Sequence, residues 1–367
     1  MGELRPSWIE IDLGAIRHNV AEIGRVVAPA RLCAVVKADG YGHGDVPVAE
    51  AALAAGADWL AVALLAEGAR LREAGIEAPI LLLSEPGSGD AGEVVRWSLT
   101  PSLYRPEYLA ELESVAPEGY PVHVKVDTGM HRVGVDPEQA RSLVDAVVAG
   151  PLTLEAVWTH FPVSESDEAF TAQQTRALAD FVAELRADGI GPELVHAANT
   201  AGALGHPASR FDLVRPGIGV YGLRPARGYA PEVDLKPAMR VISHVAHVRR
   251  LPAGARPSYG RTRPMPADGT VATIPVGYAD GVNRHLKDAG GMVLINGKRY
   301  PFAGNVTMDQ ILVDVGPDAV QVGDEVVLLG SQGEEEITAD EWAERLDTIN
   351  WEIVCGFGPR LPRRYIG

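Results

Sequence analysis

Ala34-Val35-Val36-Lys37-Ala38-Asp39-Gly40-Tyr41-Gly42-His43-Gly44 decides how the rest of this chain is read. The run Leu32 to Val36 is short, apolar and β-branched at its end, the composition of a parallel strand buried on both faces. It stops at a lysine and passes into a turn with glycine at 40, 42 and 44, residues that permit positive φ and let a ligand approach the backbone. A lysine there stands at the mouth of whatever the strand builds. It is either the solvated side chain of an ordinary strand-to-helix turn or an amine that forms a Schiff base with a carbonyl cofactor. The second role suits lysine because burial lowers its pKa readily, and Tyr41, four residues on, is then a hydrogen-bond donor for the same ligand.

Outward from that stretch, strand-like and helix-like runs alternate. Trp8 to Asp12 alternates as a strand does, and helical spacing follows from Leu13 to Val27. Further strands are expected at Leu32 to Val36, Trp59 to Leu64, Ile80 to Ser84, Leu99 to Leu103, Val122 to Asp127, Leu154 to His160, Leu194 to Asn199 and Asp212 to Arg215. Between them lie amphipathic stretches such as Val46 to Gly56, Leu65 to Gly75, Pro137 to Gly150 and Phe170 to Gly189, closed by glycine as helix C-termini often are. Repeated strand-helix units imply parallel pairing, and their number favours a closed (β/α)8 TIM-like barrel over an open doubly wound sheet. Lys37, Asp127 to Arg132, His160, Asn199-Thr200 and Arg215-Pro216-Gly217 all fall at the C-terminal ends of expected strands, where barrel enzymes carry their chemistry.

From about Lys236 the texture changes to short alternating runs with turn residues between them: Val241 to Val248, Thr270 to Val276, Met292 to Ile295 and Val326 to Leu329. These read as an antiparallel β domain with one late helix, Thr338 to Leu346, opened by a capping box of Thr338 and Glu341. The expected organisation is therefore a barrel over residues 1–235, with residues 1–12 available to pair with the second domain, and a predominantly β domain over residues 236–367.

Length and composition agree with two domains. At 367 residues the chain exceeds the usual size of one hydrophobic core, and 46% hydrophobic with 22% charged residues describes an ordinary globular protein. Lys plus Arg is 33 against 49 Asp plus Glu, a net charge of -16, which argues against nucleic acid or an anionic membrane as partner. Met1 to Trp8 lacks the apolar core of a signal peptide and no apolar run reaches the roughly 18 residues of a membrane span, so a cytoplasmic location is expected. Cys33 and Cys355 lack metal-site spacing and are too few for a disulfide framework; each is expected to be a buried thiol.

The motifs carry more. After Lys37 come Lys125-Val-Asp-Thr-Gly-Met-His-Arg132, Trp158-Thr-His160-Phe, His196-Ala-Ala-Asn-Thr200 and Val214-Arg215-Pro-Gly-Ile-Gly-Val-Tyr-Gly222. Ser258-Tyr259-Gly, Ile274-Pro-Val-Gly-Tyr278-Ala-Asp-Gly281 and Thr307-Met308-Asp309-Gln310 follow. In this order and spacing, over nearly the whole chain, they resemble the alanine racemases, pyridoxal-phosphate enzymes made of a barrel and a β domain. The resemblance implies that Lys37 carries pyridoxal 5′-phosphate covalently and acts as one base, with Tyr259 as the other, in a two-base proton transfer that interconverts L-alanine and D-alanine, a supply for peptidoglycan. It implies a homodimer in which Tyr259, Met308 and Asp309 of one subunit complete the site of its partner. Arg215 is placed against the pyridine nitrogen, with His160 beside it; Tyr41, Thr200 and the backbone of Gly217 and Ile218 are placed against the phosphate. Arg132 and the backbone of Met308 match the group that binds the substrate carboxylate, while Tyr278, Arg284 and Glu165 match an access corridor. Lys125 matches a lysine that many relatives carry carbamylated.

Physical chemistry supports these roles without replacing the plainer ones. Racemisation needs a proton taken from one face of Cα and returned to the other, and an amine and a phenol with unperturbed pKa values near 10 need neighbours that lower them. A guanidinium does not readily give up its proton, so Arg215 leaves the ring a weaker electron sink and disfavours decarboxylation; its plainer reading is a salt-bridged strand-end arginine. Thr200 also reads as a helix N-cap, Tyr278, Arg284 and Glu165 as solvated loop residues, and Lys125, costly as a bare ammonium inside a barrel, as the partner of a nearby carboxylate. Three positions depart from the common pattern: Thr307 for cysteine, Asn305 for arginine, which removes a charge near the substrate corridor, and Pro359 for a tyrosine that touches phosphate. A racemase of other small amino acids such as serine, a decarboxylase of the same architecture, and a barrel protein that holds the cofactor without catalysis are the alternatives; a β domain bearing Tyr259 argues against the last.

Overall fold

The computed structural model describes residues 5–367, which divide into two compact units. The first strand, β1 (Trp8–Asp12), belongs to the β-rich unit. The barrel unit comprises Gly14–Gly40 and Gly44–Pro237. Its strands are β2 (Arg31–Val35), β3 (Trp59–Val62), β4 (Ile80–Leu82), β5 (Thr100–Leu103), β6 (Pro121–Lys125), β7 (Thr153–Trp158), β8 (Leu194–His196) and β9 (Leu213–Val214). Each pairs in parallel with the next, and Arg31 opposite Leu213 closes the cylinder. The closed (β/α)8 barrel is thus the architecture of this unit. Every residue of β3 and β4 is buried, as expected of strands covered on both faces. The helix Pro137–Ala149 buries Ala140, Leu143, Val144 and Val147, the i, i+3, i+4, i+7 stripe of an amphipathic helix, and these pack with Val122, Val124 and Val157 of the strands.

The β-rich unit comprises the described residues up to Leu13, Tyr41–His43 and Ala238–Gly367. β1 hydrogen-bonds within this unit's sheet, the pairing left open for residues 1–12; the boundary falls at 237/238 and not 235/236, and Tyr41–His43 joins this unit, where the guanidinium of Arg363 donates to the carbonyl of Gly42 at 3.1 and 3.2 Å. Its strands are β10 (Met239–His244), β11 (His247–Leu251), β12 (Gly269–Ile274), β13 (Met292–Ile295), β14 (Lys298–Pro301), β15 (Ile311–Gly316), β16 (Glu325–Gln332), β17 (Glu335–Ile337) and β18 (Arg363–Ile366). One sheet runs β14-β13-β16-β10-β1-β18 with β17 on β16, and a second runs β11-β12-β15.

The single strand expected at Val241 to Val248 is two. Val245 N–H donates to Asp324 O and Ala246 N–H donates to Thr273 O, so adjacent residues pass the backbone from one sheet to the other. Nothing in local alternation marks such a transfer. Strands β14, β15, β17 and β18 are additional to the expected ones, and Asn296 (φ 52°) and Gly297 (φ 72°) form the left-handed pair that the tight β13-β14 hairpin requires. The late helix is Ala339–Leu346, and only half of its capping box forms: Thr338 Oγ1 accepts from Glu341 N at 3.0 Å, while the Glu341 carboxylate takes Arg299 and Arg345 instead. Cys33 is buried, but Cys355 is exposed, against expectation, because it ends the short helix Asn350–Cys355 on its outer side. No helix among the described residues is long and apolar enough to cross a membrane.

Candidate active site

The C-terminal ends of the barrel strands gather the candidate groups. Lys37 follows β2 and is half-buried. The next residues, Ala38 (φ 54°), Asp39 (φ 54°) and Gly40 (φ 57°), form a left-handed turn that Tyr41 (φ 54°) continues. Each L-residue so placed costs about 1–2 kcal/mol, and the turn persists because its backbone is tied at both ends. Gly40 N–H donates to Val36 O and Gly44 N–H to Asp39 O. The buried carboxylate of Glu67 accepts Ala38 N–H at 2.7 Å, and also Ala63 and Leu64 N–H at 2.9 and 3.0 Å. Glu67 thereby both opens the helix Leu65–Glu73 and holds the peptide beside Lys37. Sequence reading missed it; an acidic residue at the third helical position after β3 was the available signal. Tyr41 is buried, and burial pushes its phenol up, so its hydroxyl stays a donor.

Arg215, just past β9, is 3% exposed. Its Nη1 donates to His196 Nδ1 at 2.7 Å; its Nη2 donates to the carbonyls of Thr159 and Ala197 at 2.8 and 3.0 Å and faces His160 Nδ1 at 3.3 Å. Its guanidinium also lies 4.5 Å over the Trp158 ring. There is no salt bridge to Arg215 among the described residues, so the strand-end ion pair is excluded. Burial lowers its pKa to about 10, which leaves it a cation at neutral pH. Burial, then Arg215, Lys125, Arg132 and Lys37, pushes His160 well below its ordinary value, so the imidazole is neutral.

Lys125, at the end of β6, is 2% exposed with its Nζ 4.4 Å over the same Trp158 ring. No carboxylate pairs with it among the described residues, so the expected alternative of a lysine-carboxylate pair is not what forms. Burial, then Arg215 and Arg132, lowers its pKa to about 7, opposed by Asp127. Asp127 itself is spent on the following loop, accepting N–H of Gly129, Met130 and His131 at 2.9, 2.9 and 3.1 Å. Burial opposes its ionisation, but those donors and His131 hold it below the usual carboxylate range. That nest fixes the loop that presents Arg132, which is exposed.

Thr200 is buried at the start of the short helix Thr200–Gly205, with Asn199, not Thr200, as its N-cap: Asn199 Oδ1 accepts from Gly202 N. Thr200 Oγ1 accepts N–H of Gly217 at 3.1 Å and of Gly219 at 3.3 Å. Gly217 therefore spends its amide on orienting Thr200, whose own hydroxyl proton points elsewhere. A Cβ at Gly219 would lie 2.8 Å from Thr200 Cγ2, so this close approach requires glycine. Ile218 opens the turn Ile218–Tyr221, and its N–H precedes the turn's own bonds. Glu165 lies, half-buried, on the loop after β7.

The β-rich unit carries the other candidates. Tyr259 is 75% exposed and Met308 53%. Tyr259 sits in a turn where Ser258 (φ 68°), Gly260 (φ 70°) and Arg261 (φ 47°) are all left-handed. Asn305 anchors that turn: its Nδ2 donates to Tyr259 O at 2.7 Å, and its carbonyl accepts from Ser258 Oγ at 2.7 Å. The departure from arginine is thus a buried structural amide. Thr307 Oγ1 donates to Gln310 O at 2.8 Å, closing the turn over Met308 and Asp309, and Asp309 accepts from Arg360 at 2.7 Å. Ala279 N–H donates to Met308 O at 3.1 Å. Tyr278 and Arg284 line one cleft of about 270 Å³ with Trp342 and Ile353. Pro359 is exposed.

The donor chemistry fits a phosphorylated pyridine aldehyde. Lys37, Lys125, Arg132 and Arg215 make the mouth cationic, Thr200 supplies a hydroxyl, and Arg215 Nε–H makes no hydrogen bond among the described residues although the residue is buried. No cluster of His, Cys, Asp and Glu suited to a metal ion occurs among the described residues.

Comparison with known proteins agrees over the full length. The alanine racemase N-terminal domain family matches residues 11–225 and the alanine racemase C-terminal domain family matches residues 238–365. The alanine racemase of Symbiobacterium thermophilum is 46% identical over 99% of this chain and 98% of its own, and that of a Nostoc species is 42% identical over 97% and 95%. The crystal structure of alanine racemase from E. faecalis superposes with a TM-score of 0.94 at 39% identity, covering 100% of both chains. Matches of this extent on sequence and on structure together leave one assignment, and the chain belongs to the alanine racemase family.

Proposed function

We propose that this chain is a pyridoxal-phosphate-dependent alanine racemase working as a homodimer with shared active sites. The observation that carries the reading is Arg215: a buried cation flanked by neutral imidazoles, with spare donors, at the barrel mouth that also holds Lys37. When bound, pyridoxal 5′-phosphate joins the amino group of alanine to a conjugated ring that can accommodate the electron pair of the broken Cα–H bond. Lys37 holds the cofactor and moves the proton at one face of Cα; Tyr259 of the partner subunit moves it at the other. Arg215 offers a hydrogen bond to the ring nitrogen without surrendering its proton, which favours returning the Cα proton over other outcomes. Tyr41, Thr200 and the Ile218 N–H hold the phosphate, and Gly217 orients Thr200. Arg132 and the backbone of Met308 receive the substrate carboxylate, and Asp309, next in that turn, completes the substrate site of the partner subunit. Tyr278, Arg284 and Glu165 line the corridor through which alanine arrives.

Lys125 completes the charge pattern as a carbamate. With its pKa near 7, much of the amine is neutral at physiological pH and attacks carbon dioxide, forming an N–C bond and releasing one proton. The resulting anion replaces a cation among Arg132, Arg215 and Lys37. Exposure of Tyr259 and Met308 supports shared sites, since a base and a substrate-binding backbone need water excluded by a covering surface. A cytoplasmic enzyme that supplies D-alanine for peptidoglycan is the setting this function implies.

The test mixes two inactive chains. Lys37→Ala and Tyr259→Phe homodimers should each fail to racemise L-alanine by circular dichroism, whereas a refolded equimolar mixture should recover about one quarter of wild-type activity, one intact site in each hybrid dimer. No recovery, or no visible absorbance band that borohydride abolishes at Lys37 in the wild type, overturns the reading.

A further inference from the structure

Behind Arg215 a line of polar groups runs into the barrel that the reaction as described does not use. Arg215 Nη1 donates to His196 Nδ1 at 2.7 Å, His196 Nε2 lies 3.1 Å from His123 Nδ1, and His123 Nε2 lies 2.8 Å from Glu155 Oε2. A guanidinium only donates. His196 Nδ1 must therefore accept, and its proton sits on Nε2. That nitrogen then donates to His123 Nδ1, which places the second proton on His123 Nε2, facing a carboxylate that only accepts. Both ends of the chain dictate the same direction for every bond. Burial, with Arg215 and His123 adding to it, pushes His196 well below its ordinary value, and burial outweighs the opposing pull of Glu155 to lower that of His123, so each is a single-proton neutral ring.

The backbone is shaped to complete this line. Where β6 pairs with β7, Val122 stands opposite Leu154 but His123 stands opposite Ala156, so Glu155 is the extra residue of a bulge. Bulges re-aim side chains, and this one delivers a carboxylate to His123 that regular alternation would not. Trp158 stacks on His196 at 5.3 Å and 15°, and Trp59 flanks His123 at 5.2 Å. Glu155 precedes Trp158 by three residues, about 10 Å nearer the N-terminal end of the barrel.

We propose that Glu155 and His123 are positioning residues for Arg215: together they lock His196 in its Nε2–H form, reserving the Nδ1 lone pair for the guanidinium and fixing the direction of Arg215's remaining donors. That those donors serve a cofactor ring nitrogen rests on the function proposed above; the proton positions themselves do not. If His123 carried its proton on Nδ1 instead, it would drive His196 to the other tautomer and set an imidazole N–H against the guanidinium.

Long-range 15N–1H correlation on the full chain, cofactor-free and labelled at histidine, reads the tautomers directly. The wild type should show pyrrole-type Nε2 and pyridine-type Nδ1 for both His196 and His123. Glu155→Gln, which still presents a carbonyl oxygen, should keep both; Glu155→Ala should populate the Nδ1–H form of His123. Racemisation by Glu155→Ala should lose about tenfold in kcat with little change in KM, the size of losing a partner to a charge-linked hydrogen bond, and Glu155→Gln should recover most of it. A protonated Nδ1 on either histidine of the wild type overturns the proposal whatever the variants do, as does Glu155→Ala with unchanged tautomers. Correct tautomers in a protein without racemase activity would instead sink the functional reading and leave the relay standing.

Discussion

Replacing Glu67 with glutamine should loosen the turn that carries Lys37. The carboxylate is buried and serves three backbone donors, Oε1 taking Ala38 and Oε2 taking Ala63 and Leu64. An amide can keep its oxygen at only one of these places. In the better orientation it retains the two donors of the helix start and turns its NH2 toward Ala38 N–H, losing one hydrogen bond to a charge, worth about 1.5–3 kcal/mol, and weakening two others. The sum is about 3 kcal/mol. Ala38 and Asp39, each held left-handed at about 1–2 kcal/mol, then relax toward ordinary geometry and carry the Lys37 backbone with them. Urea unfolding of the cofactor-free chain measures the first effect: with a slope near 3 kcal/mol per molar, the midpoint should fall by about 1 M. Borohydride trapping measures the second, and the fraction of Lys37 recovered as the reduced cofactor adduct should drop at limiting cofactor. An unchanged midpoint would show that the three short contacts do not stabilise the turn. A lowered midpoint with normal trapping would show that the turn does not position the lysine.

The pKa of Lys125 gives a signed pH dependence. With a folded value of about 7 below the ordinary 10.4 or so of lysine, the unfolded chain binds the extra proton, so in buffer free of carbon dioxide stability should rise from pH 7 to about pH 10 relative to Lys125→Met, by about 1.4 kcal/mol per unit at most; no difference in slope would refute the shift. In bicarbonate the intact mass should increase by one carbon dioxide and return on acidification, and Lys125→Met should show no increase. Arg215→Lys supplies three donors without the planar fork, so kcat should fall about a hundredfold while the chain still folds; near-normal turnover would show that charge alone suffices. Asn305→Ala removes the side-chain donor to Tyr259 O, and should speed proteolysis between Ser258 and Thr262 and lower kcat about tenfold; wild-type rates in both assays would mean that the turn holds its shape without the amide.

What the sequence by itself determined is what neighbours along the chain decide. The eight strand-helix units, the glycines at 40, 42 and 44, and the placement of Lys37, His160, Thr200 and Arg215 at strand ends follow from periodicity and turn chemistry, which are local. What only the tertiary structure decided involves residues distant in sequence or a register that no local pattern marks. The passage of Val245-Ala246 between sheets depends on Asp324 and Thr273. The role of Glu67 depends on barrel pairing that brings β2 beside β3. Asn305 gained a meaning once its loop folded against Tyr259. The direction of the Arg215-His196-His123-Glu155 line depends on a one-residue slip between β6 and β7. Hydrogen-bond direction is a property of assembled partners, and a histidine's proton goes where its two neighbours leave room for it.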